Sequence, residues 1–75
     1  MWHWNKVVVR THAKNGSQMA WAVISDVGIG GWIRIKPHTA DGVMNVFMIL
    51  CAALANGHRV DVYIQDGQIT QANLR

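Results

Sequence analysis

Between Gly42 and Gly57 the chain reads GVMNVFMILCAALANG, sixteen residues without a charge, and twelve of the fourteen between the glycines are apolar. The run is too short to cross a bilayer, which takes about 20 residues. It predicts a helix. At about 100° per residue, Val43, Phe47, Leu50 and Leu54 form one stripe flanked by Val46, enough to close a small sheet. Met44, Met48, Cys51 and Ala55 form a second stripe roughly 80° around the cylinder. Only Asn45 and Asn56 interrupt the remaining side, which they share with Ile49 and Ala52. A helix lying on a lone small domain carries a charged outer face, and this one carries none. The second stripe is therefore expected to be an oligomer interface against copies of the same chain.

Length sharpens that expectation. Seventy-five residues make one domain, 1–75, and chains of this size bury only about 60% of their unfolded surface. Cores of this kind rarely supply more than about 3–5 kcal/mol, so small domains add disulfides, metals or partner subunits. Cys51 is the only cysteine, and His3, His12, His38 and His58 are scattered with no pair at ligand spacing. No disulfide, metal or cofactor is expected, which leaves self-association. The start, MWHWNKVVVR, lacks the basic segment, apolar core and cleavage site of a leader. With one free cysteine this predicts a cytoplasmic protein, or a secreted one if the chain is a mature form. A net charge of +3 and a pI near 9.6 suit an anionic partner without demanding one.

The rest of the chain reads as short strands. Lys6–Ala13 and Gln18–Ser25 flank Asn15-Gly16, a hairpin signal because both residues tolerate positive φ. The second strand sets Met19, Trp21 and Val23 against Ala20, Ala22 and Ile24; with both faces apolar it should be central or covered on both sides. DVGIGG, residues 26–31, is a loop followed by a strand, WIRIKP, so it makes no phosphate cradle at a helix start. In that third strand, Trp32–Lys36, Ile33 and Ile35 point one way and Trp32, Arg34 and Lys36 the other; Pro37 ends it. Thr39 or Asp41 would cap the helix, Gly57 would stop it, and Asp41, His58 and Arg59 would suit its dipole. RVDVYIQ, the turn Asp66-Gly67 and QITQANLR supply two more strands. The prediction is a mainly β chain with one helix, in the order β-β-β-α-β-β, folded as a five-stranded OB-like barrel. The alternative is an open α+β sheet with the helix across one face.

Chemistry is sparse. The acids Asp26, Asp41, Asp61 and Asp66 sit at turns, a helix start or a strand face, and no nucleophile is paired with a base. His38, Thr39 and Asp41 could form a small polar site, but a helix cap explains them more simply. The chain therefore reads as non-enzymatic. Trp32, Arg34 and Lys36 share one strand face, and Trp2 and Trp4 share another. Aromatic rings beside cations can stack on bases and pair with phosphates, and aromatic platforms also stack on sugars. These five are the candidate ligand-binding residues, for a glycan, a small molecule or single-stranded nucleic acid. Lys6, Arg10, His12 and Lys14 would extend a basic face, while Arg34 and Lys36 could instead pair with Asp61 across strands. The competing reading is that the tryptophans fill barrel ends or subunit contacts.

An apolar helix, GVMNVFMILCAALANG, followed by a short turn and the strand HRVDVYIQDG resembles the B subunits of bacterial AB5 toxins. The likeness covers roughly residues 31–75, and strand order extends it over the chain. It implies an OB-type barrel assembled into a homopentameric ring, with helices lining the centre, strands pairing between neighbours and a receptor-binding role. Many such subunits carry a disulfide, which one cysteine cannot supply, and no sugar-binding motif transfers residue by residue.

Overall fold

The computed structural model describes residues 1–13, 19–37 and 40–75, the side chains of 40 and 41 excepted. Its elements are β1 (Trp2–Ala13), β2 (Ala20–Ile24), β3 (Ile33–Arg34), α1 (Ala40–Asn56), β4 (Arg59–Gln65) and β5 (Gln68–Leu74). The protein is mainly β with one helix, in the order read from the sequence. The strands form one antiparallel sheet ordered β3-β2-β1-β4-β5. The two outer strands approach each other at an isolated parallel bridge, Ile35 to Ile69, where the Lys36 N–H donates to the Ile69 carbonyl at 2.9 Å. No ladder joins them among the described residues.

β1 is long enough to pair twice. Its first half runs against β4, from Trp2↔Tyr63 to Val7↔Arg59, and its second half against β2, from Val8↔Ile24 to Ala13↔Ala20. Two register shifts divide it, one between His3 and Lys6 and one between Val8 and Arg10. An extra residue in one strand reverses which side the following residues face. Val8 is buried opposite Ile24; past the second shift Thr11 stands opposite buried Ala22, while Arg10 and His12 turn outward. Lys6, two residues before Val8, keeps Val8's side and reaches Asp26 at 3.4 Å. The expected face joining Lys6 to Arg10 and His12 is therefore split, and Lys14 lies outside the described residues.

β1 begins four residues before the expected Lys6, because Trp2 and His3 pair with Tyr63 and Val62. β3 is shorter than the expected Trp32–Lys36, since after Arg34 the backbone leaves β2 for Ile69. β2 is an interior strand with one face fully buried: Ala20, Ala22 and Ile24 are covered, Trp21 and Val23 half-buried.

Helix α1 lies mainly against β1 and β5. Val43, Leu50 and Ala53 are buried, and Val46 and Phe47 pack on the same cluster with Val60, Val62 and Ile69. Leu54, expected in that stripe, is 38% exposed. Positions three and four past Leu50 both lie near the stripe, and the sheet takes the small side chain, Ala53, instead. Gly57, at φ 68°, ends the helix with the His58 N–H donating to the Ala53 carbonyl at 2.9 Å. Rather than facing the helix end, His58 Nδ1 lies 3.1 Å from the Arg75 carbonyl, and Arg59 donates to the Asn5 carbonyl at 3.3 Å. Asp66 and Gly67, at φ 53° and 75°, make the two-residue turn between β4 and β5. The Asn15-Gly16 turn and the caps proposed at Thr39 and Asp41 fall outside the described residues and side chains.

Candidate ligand-binding site

The second bulge in β1 decides what the outer face of the sheet carries. Because it turns His12 outward, His12 comes opposite Trp21 of β2, with ring centroids 5.3 Å apart and planes inclined at 39°. Trp32, the residue before β3, brings its ring to 5.9 Å from His12 at 59°. These three rings line an open hollow of about 450 Å³. Trp32 is 47% exposed, so its indole is available at the rim.

Cations border the rings. Arg34 stands opposite Trp21 across the β2–β3 pair, and Arg10 lies two residues before His12 on the same outward side, opposite Val23. Arg34 is half-buried, and its Nε is buried without a hydrogen-bond partner in the chain. A donor held that way costs roughly 1–3 kcal/mol relative to a satisfied one. None of the described carboxylates lines the hollow. Asp26 pairs with Lys6, Asp66 is in the β4–β5 turn, and Asp61 is occupied on β4.

Asp61 answers a different need from the expected pairing with Arg34 or Lys36. One of its oxygens accepts the Asn5 N–H at 2.8 Å and meets the Arg75 guanidinium at 3.2 Å. Asn5 sits in the first bulge at φ 59°, a left-handed conformation that asparagine tolerates. The carboxylate thereby satisfies a backbone donor that the bulge removes from the ladder.

Of the candidates read from the sequence, Trp32 and Arg34 come together with Trp21 and His12. Lys36 is set apart: it lines a second hollow, of about 380 Å³, with Val46, Thr70 and Gln71 between α1 and β5. Trp2 and Trp4 stack on each other at 5.0 Å and 17°, and Trp2 meets Tyr63 edge-on at 5.4 Å. That cluster covers the β1–β4 pair and is separate from the hollow. On the helix, Met44, Met48 and Ala55 are exposed, while Cys51 is half-buried with Sγ 3.7 Å from Thr11 Oγ1. His38 and Thr39 lie outside the described residues.

His12 and Trp21 were not singled out from the sequence as ligand residues. Trp21 read as part of a covered strand, and His12 as part of a basic face, because a strict two-residue alternation carries no sign of a bulge. Among the described residues no three His, Cys, Asp or Glu side chains are grouped as metal ligands, and no helix is long and apolar enough to cross a membrane. No protein-family model, curated protein or solved structure matches the chain.

Proposed function

We propose that this chain is a non-enzymatic, ring-forming binding protein built on an OB-type barrel and assembled as a homopentamer, in the manner of a toxin B subunit. The barrel reading is supported by the strand order β3-β2-β1-β4-β5, the helix between the third and fourth strands, and the approach of β3 to β5 at Ile35 and Ile69. The observation that carries self-association is on the helix. Met44 and Met48 are 56% and 61% exposed on an element with no charged residue from Gly42 to its end. Pliable, apolar side chains grouped on one surface favour a protein contact over water.

Size-exclusion chromatography with light scattering tests this directly. The expected native mass is about five times the chain mass, and Met48→Glu should reduce it to that of one 8.4 kDa chain while far-UV circular dichroism stays unchanged. A wild-type mass of one chain, or a soluble Met48→Glu variant of unchanged native mass, defeats the interface.

A second reading, an OB-type single-stranded nucleic-acid-binding protein, has its own observation. The rings of His12, Trp21 and Trp32 lie together beside Arg10 and Arg34, a combination that tracks a charged strand while stacking its bases.

A further inference from the structure

We propose that the hollow lined by His12, Trp21 and Trp32 is a nucleotide-binding subsite for single-stranded nucleic acid, in which a base lies against Trp32 and the adjoining phosphates meet Arg34 and Arg10. This rests on the nucleic-acid reading and gives it a location. The half-exposed indole of Trp32 offers a stacking face, and the rings of His12 and Trp21 lie beside it. Arg34 is held in place by β3 opposite Trp21. With its Nε buried, the Nη nitrogens are the part of its guanidinium left to pair with phosphate oxygens.

Charge and donor chemistry choose this occupant over a glycan. Neutral sugars are recognised through hydroxyls that need acceptors as well as donors. Apart from the His12 imidazole, whose neutral ring has a single acceptor nitrogen, the hollow and its borders offer cations and ring faces, and none of the described carboxylates or carboxamides lines it. An anionic ligand with flat apolar faces uses all of what is present. Lys36 and the Trp2–Trp4 stack are not part of the subsite, since both lie elsewhere on the molecule.

The test is fluorescence anisotropy of a fluorescein-labelled oligothymidylate of about 15 nucleotides, long enough to span one barrel, titrated with the full chain. Two cations on phosphates predict a log–log salt slope near −1.4, about a 25-fold loss of affinity across a tenfold rise in salt. Trp32→Ala should weaken binding by about fivefold to a hundredfold, and Trp4→Ala should leave it unchanged. Arg34→Met should weaken binding and flatten the salt dependence without lowering the thermal midpoint, because it removes an unpartnered buried donor and keeps the packed stem. Loss of the midpoint in Arg34→Met would make the arginine structural and overturn its assignment. Binding that survives Trp32→Ala and fails in Trp4→Ala overturns the subsite while leaving nucleic-acid binding in place. No binding even at low salt removes the nucleic-acid reading altogether, and salt-insensitive binding of a neutral oligosaccharide that Trp32→Ala abolishes overturns the subsite by assigning the hollow to a sugar. None of these outcomes bears on the native mass, which tests the ring independently.

Discussion

Leu50→Ala is expected to leave the protein largely unfolded or close to it at room temperature. Leu50 is fully buried beneath the middle of α1, in the cluster that holds the helix to Val60, Val62 and Ile69. Truncating a buried leucine costs about 2–5 kcal/mol, from lost burial and the cavity left behind. A core of this size supplies only about 3–5 kcal/mol, so one side chain spans most of the margin. Leu54→Ala is the matched control. The same atoms are removed from a residue that is 38% exposed, and the loss should be smaller, about 1–2 kcal/mol, because part of the side chain already meets water. Urea titrations followed by circular dichroism, at equal protein concentration, give both values. Equal losses would mean that the helix is turned toward the stripe expected from its sequence, with Leu54 rather than Ala53 against the sheet.

The second large effect concerns Asp61. Asp61→Ala should cost about 1–3 kcal/mol, because it leaves the Asn5 N–H of the β1 bulge without its acceptor. Asp61→Asn should cost less, since an amide oxygen can still accept that N–H. The two contacts of this carboxylate differ in kind. Arg75 is nearly half exposed while the Asp61 side chain is 12% exposed, and pairs open to water contribute about 0–1 kcal/mol. The bond to the backbone therefore stabilises the fold more than the ion pair does. Arg75→Ala should then be milder than Asp61→Ala, and the urea midpoints should fall in the order wild type, Asp61→Asn, Asp61→Ala. If Asp61→Asn were as damaging as Asp61→Ala, the ion pair rather than the bulge would be what the carboxylate sustains.

Both effects arise where local pattern and tertiary contact part company. The Asp66-Gly67 turn and the Gly57 helix stop were legible because positive φ selects residue types locally; the structure places all three in that region, at 53°, 75° and 68°. The helix itself and the five-strand order were legible from periodicity. The candidate site was legible in part. Trp32 and Arg34 could be found on one face of one strand by their two-residue spacing. Their neighbours His12 and Trp21 could not, because they arrive from two other strands across a register that includes a bulge.

The sequence alone determined the element order and the excess of apolar helix surface, since hydrophobic period and turn chemistry are properties of residues close together in the chain. Tertiary structure decided the two bulges of β1, the choice of Ala53 over Leu54, the departure of Lys36 toward β5, and the meeting of three aromatic rings beside Arg34. Each of those depends on which of two nearly equivalent local arrangements lets distant strands pair and pack. That free-energy difference belongs to the contact between segments and is absent from either segment alone.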